Sequence, residues 1–233
     1  MTTKTKSGCQ KHEVEVNAGR RKLKGILAIP GGARGIVVFA HGSGSGRMSP
    51  RNQFVAHSLQ AAGLATLLID LLEEVEADDR RYVFDVELLA ERLENAADWL
   101  KWQAAARGLK LGYFGASTGA AAALIAAARR TTEVAAVVSR GGRPDLAFDY
   151  LPTVHAPTLL IVGGADEAVL ELNKQAIAQL HCRKELFVVP RATHLFPEPG
   201  ALEQVAKEAE RWFKRYLEVD SSDELKAVGR KPK

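Results

Sequence analysis

The chemistry in this chain centres on a hydroxyl set between glycines, Gly115-Ala116-Ser117-Thr118-Gly119. A G-x-S-x-G pentapeptide gains meaning only where a strand runs into it and a helix leaves it. Both conditions hold here. Residues 109–114 form a short apolar run, and residues 118–130 are rich in alanine. Such a turn forces the serine into a strained backbone conformation, so its hydroxyl projects beyond the strand. The residues two before and two after it come close together, which accounts for glycine at 115 and 119. The start of the following helix favours negative charge beside the serine.

A serine hydroxyl needs a base to become a nucleophile. After this kind of turn the partners follow in the order serine, acid, histidine. Of the six histidines, only His181 and His194 lie beyond Ser117 in plausible loops. His181 closes a helix before a strand, at the wrong edge of a sheet. His194 follows the last strand, in Val189-Pro190-Arg191-Ala192-Thr193-His194, and is the predicted general base. Asp166 follows the penultimate strand in Gly163-Gly164-Ala165-Asp166. Its position favours it as the acid over Asp145 and Asp149, one strand earlier, with Glu167 the nearest substitute. Asp166 also fits a helix N-cap, and one loop can serve both roles. The predicted reaction is acyl transfer. His194 takes the proton as Ser117 attacks a carbonyl, and Asp166 steadies the imidazolium.

A tetrahedral intermediate needs N–H donors for its oxygen. Residues 37–47, V-V-F-A-H-G-S-G-S-G-R, empty an apolar run into a loop with three glycines within five residues. The predicted donors are the backbone N–H groups of Ser43 and Thr118. The loop lacks the G-K-[ST] of a phosphate-binding loop, and no dinucleotide fingerprint is complete. His41 is expected to be a structural residue bonded within the loop. Arg140 and Arg143 follow a strand end and are candidate contacts for an anionic acyl group. Ion pairing with Asp145 or Asp149 is the competing reading. Residues 71–83 follow another strand end and could form part of the rim, their charges reading most simply as a solvated loop.

Regular elements must hold these residues in place. Residues 14–18 and 22–30 read as a hairpin. Residues 35–40, 64–70, 109–114, 134–139, 158–162 and 185–189 are apolar at nearly every position. That pattern marks strands covered on both faces, as in a parallel sheet between helix layers. Residues 52–62, 84–106, 168–180 and 201–216 have helical periodicity, with Gly63 and Gly108 as stops. Residues 118–130 are apolar all round and are expected to be buried. No internal repeat is present. The expectation is a single α/β domain over 12–217, between a flexible arm at 1–11 and a polar tail at 218–233. Ligands of such sheets bind beyond the carboxyl ends of the strands.

Composition narrows the function. The 233 residues carry a formal charge of +4, and residues 1–24 alone hold an excess of +5. The last sixteen residues balance, which leaves 25–217 at −1. A near-neutral body argues against nucleic acid as a partner. No apolar run approaches a membrane span, and the N-terminus lacks a secretory apolar region. Cys9 and Cys182 suggest neither a disulfide framework nor a zinc site. A cytoplasmic protein without metal or cofactor is expected, its oligomeric state (monomer or homodimer) left open.

Taken together, F-A-H-G-S-G-S-G-R, L-L-I-D-L-L, G-A-S-T-G-A-A-A-A-L, S-R-G-G-R-P-D, G-G-A-D-E-A-V-L-E-L-N and A-T-H-L-F-P-E-P-G resemble the dienelactone hydrolase family of the α/β-hydrolase superfamily. The resemblance runs from Gly25 to about Leu217. It implies an α/β-hydrolase fold with a mostly parallel sheet and helices on both faces. It also implies Ser117, Asp166 and His194 in the catalytic positions. The family's namesake enzymes use a cysteine nucleophile, helped by a glutamate after the third strand. Ser117 and His41-Gly42-Ser43 depart from that pattern, and place the chain with the serine-type, carboxylesterase-like members. Only seventeen residues separate the run at 134–139 from Pro157. That excludes a large cap there and favours small soluble esters or lactones as substrates. An acyltransferase using the same three residues, or a non-catalytic binding protein on this fold, are the alternatives.

Overall fold

The computed structural model describes residues 3–4, 9–19 and 21–218. The rest of the expected arm, and the expected tail from 219 on, lie outside the described residues. The strands are β1 (Thr3–Lys4), β2 (Gln10–Ala18), β3 (Arg21–Ile29), β4 (Gly35–Ala40), β5 (Ala65–Ile69), β6 (Lys110–Ala116), β7 (Val134–Arg140), β8 (Thr158–Gly163) and β9 (Lys184–Val189). The helices are α1 (Pro50–Ala61), α2 (Glu74–Ala77), α3 (Arg80–Val83), α4 (Val86–Lys101), α5 (Thr118–Arg129), α6 (Glu167–Gln179) and α7 (Ala201–Leu217).

Among the described residues the strands form one sheet, in the order β1-β2-β3-β5-β4-β6-β7-β8-β9. The first four neighbours pair antiparallel, and from β5 to β9 every pair is parallel. Strands β4 and β8 are buried at every position, as their unbroken apolar runs require when both faces are covered. On one face α4, α5 and α6 bury Leu93, Ile125 and Ala176. On the other, α1 and α7 bury Val55, Leu59, Trp212 and Phe213. This is the α/β-hydrolase arrangement. Between β7 and β8 a 3-10 run, Pro144–Thr153, packs on α5 and α6, and no cap is inserted there.

Several boundaries differ from the sequence reading. The first hairpin strand begins at Gln10, and Thr3–Lys4 pair with Lys11 and Gln10, inside the span expected as an arm. The strands β6, β7 and β8 run past their apolar stretches, because ladder pairing continues through Ala116↔Arg140 and Gly163↔Val189. The fourth helix is shorter than 84–106. Asp85 caps it by accepting from the Leu88 N–H at 3.0 Å, and it ends at Trp102, which is 83% exposed with no core to join. Gly108, at φ +81°, turns the chain into β6 rather than ending the helix.

Within residues 71–83 the structure adds what the sequence did not show. They form the single turns α2 and α3, and Leu71, Leu72, Glu76 and Val83 are buried. Glu76 takes a two-pronged bond from buried Arg92 on α4, at 2.6 and 2.7 Å, and Arg92 also donates to the Leu71 carbonyl at 2.7 Å. The Arg92 guanidinium holds the Glu76 carboxyl below its usual range. Glu74, Asp78, Arg80 and Arg81 stay exposed, as expected of a solvated rim, and Glu76 is the one charge of the segment that is buried.

Candidate active site

Strand β6 delivers Ser117 directly to the start of α5. Its backbone lies at φ +52°, ψ −122°, a region a β-carbon makes costly. The surroundings impose this geometry. A Cβ on Gly119 would strike the carbonyl oxygens of Ala40 and His41, and one on Gly42 would lie 2.9 Å from the Ser117 Cβ. The expected crowding at Gly115 is present, with 2.6 Å from such a Cβ to the Gly119 carbonyl oxygen. Gly119, however, is confined by the end of β4 rather than by Gly115. Ser117 is also clamped from β7. Its N–H donates to the Arg140 carbonyl at 3.3 Å, and its carbonyl accepts from the Arg143 N–H at 3.2 Å.

The structure brings Asp166 and His194 together. Asp166 Oδ2 lies 2.7 Å from His194 Nδ1. Asp166 occupies the N-cap position of α6, but its side chain makes no capping bond, so of the two roles the loop allows, only the contact with histidine is realised. Asp145 accepts two bonds from Arg143 at 2.8 and 2.7 Å, so that rival acid is engaged elsewhere. The two loops are tied to each other, since the Ala165 N–H donates to the Ala192 carbonyl at 2.9 Å. Beyond His194, Thr193 donates its N–H and hydroxyl to Glu198 at 3.0 and 2.6 Å. Phe196, buried at φ +56°, anchors the turn.

Gly141 joins the two halves of the site. It follows Arg140, which holds Ser117, and a Cβ there would lie 3.5 Å from His194 Nδ1. Among the described residues no hydrogen bond links Ser117 Oγ to the imidazole. Such bonds often tighten only when substrate is bound.

The N–H groups of Ser43 and Thr118 donate to no other group among the described residues. Both residues line one cleft of about 310 Å³, with His41–Ser45, Leu72, Val83 and Leu89. Asp70, at the end of β5, pins the glycine loop by accepting from the Arg47 N–H at 2.6 Å and from its guanidinium. His41 behaves as a loop residue. The Leu71 N–H donates to its Nε2 at 2.9 Å, and its Nδ1 lies 3.0 Å from the Gly42 carbonyl. Burial pushes its pKa down, against the opposing pull of that carbonyl and of Asp70.

Arg143 is held by Asp145, the competing outcome weighed for it. Arg140 is buried without any acid partner among the described residues. The pinning pairs Arg92–Glu76 and Arg47–Asp70 were missed from sequence, since each partner reads as an ordinary surface charge.

Comparison with known proteins agrees with this architecture. A family model described as the dienelactone hydrolase family matches residues 23–219. A dienelactone hydrolase from Anabaena variabilis ATCC 29413 superposes with a TM-score of 0.88 at 58% identity, covering 90% of this chain and 99% of that one. Est1E from Butyrivibrio proteoclasticus shares the fold, with a TM-score of 0.74 at 16% identity over 85% of this chain and 96% of its own. Two Mycobacterium tuberculosis proteins (strains CDC 1551 and H37Rv), provisionally named phosphoribosyl transferases, are 59% identical over 205 residues. That match takes in 88% of this chain but 46% of theirs, so the chain spans about half the length of these relatives. With the family model matching residues 23–219, most of the chain, the chain belongs to the dienelactone hydrolase family.

Proposed function

We propose that this chain is a carboxylesterase-like serine hydrolase, with Ser117 as nucleophile, His194 as general base and Asp166 as the orienting acid. One observation carries the reading. A strained serine at a strand–helix turn shares the Arg140–Gly141 segment with a histidine whose Nδ1 is 2.7 Å from a carboxylate. Asp166 fixes the tautomer that leaves Nε2 free to accept a proton. The N–H groups of Ser43 and Thr118 stabilise the oxyanion, and α5 adds its N-terminal dipole. His194 then protonates the leaving alcohol, and water releases the acyl group. The uncapped cleft suits small soluble esters or lactones. A cytoplasmic setting is in keeping with a chain that carries only two cysteines, far apart in the sequence.

The match takes in only 46% of the mycobacterial relatives, so the transferase of their name is not carried over to this chain. The expected activity is hydrolysis of short-chain p-nitrophenyl esters, with labelling of Ser117 by a fluorophosphonate probe. Ser117→Ala should lower kcat by about 10⁴-fold or more and abolish labelling. Turnover that persists in that variant would exclude the assignment. Folded wild-type protein that neither labels nor turns over esters would favour a binding protein instead.

A further inference from the structure

The last residue of β7, Arg140, touches the site through its backbone, since its carbonyl holds the Ser117 N–H. Strand alternation sets its side chain apart from Ser139. Ser139 lies under α5, where a Cβ on Gly142 would strike its Oγ. Residue 140 therefore falls on the opposite face, with Val138, α1 and Phe196. There it is only 7% exposed, and its Nε and Nη1 have no hydrogen-bond partner. The charge that reaches it is a second cation, Arg51 in the first turn of α1, whose Nε is also buried without an acceptor. Burial, and then Arg51, pull the Arg140 pKa down to about 10, so it stays cationic at neutral pH.

A buried guanidinium with no acid beside it is among the least favourable arrangements in a protein interior. A second cation nearby makes it worse. An oxyanion at Arg140 would satisfy its free N–H groups with charge-assisted bonds and would offset the repulsion from Arg51. Arg143 leaves no such opening, because Asp145 already occupies its guanidinium.

We propose that Arg140, backed by Arg51, forms an anion-binding subsite on the α1 side of Ser117, which docks a carboxylate or phosphate group of the ester substrate. The substrate part rests on the serine-hydrolase reading, and the subsite itself does not. The cleft lined by Leu72, Val83 and Leu89 lies on the α4–α5 side. A substrate therefore straddles Ser117, with its less polar end in that cleft and its anionic end toward Arg140.

Two measurements test this. In the first, Ser117→Ala protein is titrated with inorganic phosphate at low ionic strength while Tm is followed. A saturable rise is expected, lost when Arg140→Met is added. Without anion, Arg140→Met should hold or raise Tm, because it removes an unpaired charge. A phosphate response that ignores Arg140, or a fall in Tm on Arg140→Met alone, would overturn the subsite. In the second, kcat/KM is compared for 4-nitrophenyl hemisuccinate and its neutral counterpart, 4-nitrophenyl butyrate. Arg140→Met should cut the anionic-to-neutral ratio about tenfold or more, and Arg140→Lys should restore part of it. An unchanged ratio overturns the substrate assignment. If neither ester is turned over, the hydrolase reading falls, while the phosphate titration still decides the subsite.

Discussion

At the scale of single residues, the site depends on groups whose protonation states are fixed by their neighbours. His41 shows this best. Its Nε2 must stay unprotonated to accept from the Leu71 N–H, and burial holds its pKa below the ordinary value of 6.5. The unfolded chain therefore binds a proton more readily than the folded one. Stability from this group is complete above about pH 6.5 and is lost as pH falls toward the lower, folded value. Wild-type urea midpoints should fall between pH 7.5 and pH 5, and His41→Gln, which cannot titrate, should show a smaller fall. Equal slopes for the two proteins would remove His41 as the cause. Ser117, Asp166 and His194 could be nominated from sequence as candidate site residues because their type and strand-end position suffice to single them out. Arg140 was legible as a residue at a strand end. Its burial was not, because no local pattern separates a buried arginine from an exposed one at a strand end.

At the scale of elements, the wall of the cleft is a short segment pinned from a distance. Residues 71–83 carry many charges, and local pattern gives no hint that Glu76 turns inward. Its partner Arg92 lies sixteen positions away on α4, and helical periodicity assigns Arg92 to the polar face. Only the packing of α4 on the sheet brings the two together. Strands and major helices were readable because buried parallel strands are apolar throughout and long helices repeat every three or four residues. Their ends were less so, because ladder pairing carries β6 through Gly115 to Ala116 and β7 to Arg140, past the apolar runs. Arg92→Leu should be far worse than its size implies, since it leaves the buried Glu76 carboxylate with only the Glu73 N–H at 3.0 Å and the more distant Arg21 at 3.8 Å. A loss of about 3–5 kcal/mol is expected from urea denaturation, with much of it recovered by adding Glu76→Leu. A double variant as unstable as the single one would show that packing, not the stranded charge, sets the cost.

At the scale of the whole molecule, the two helix layers contribute differently. Helix α5 belongs to the site, since its first residue supplies a candidate oxyanion donor. Helix α7 lies on the other face, in one cluster with Ala192 and Phe196 of the His194 loop, and it presses closely on the sheet. A Cβ on Gly112 of β6 would lie 2.7 Å from the Phe213 ring, so the glycine there makes room for an aromatic side chain that is wholly buried. The turn at Ser117 is held by contacts from β4, β7 and α5, none of which includes α7. Phe213→Ala should therefore cost stability without dismantling the site. The loss should be about 3–5 kcal/mol, or roughly 10 °C in Tm at about 2–4 °C per kcal/mol for a domain of this size. Fluorophosphonate labelling of Ser117, measured well below that lowered Tm, should keep its wild-type rate within about twofold. Slow labelling in protein that circular dichroism shows to be fully folded would mean that the serine turn is set by the far core, through Gly112 and β6, rather than by its immediate neighbours.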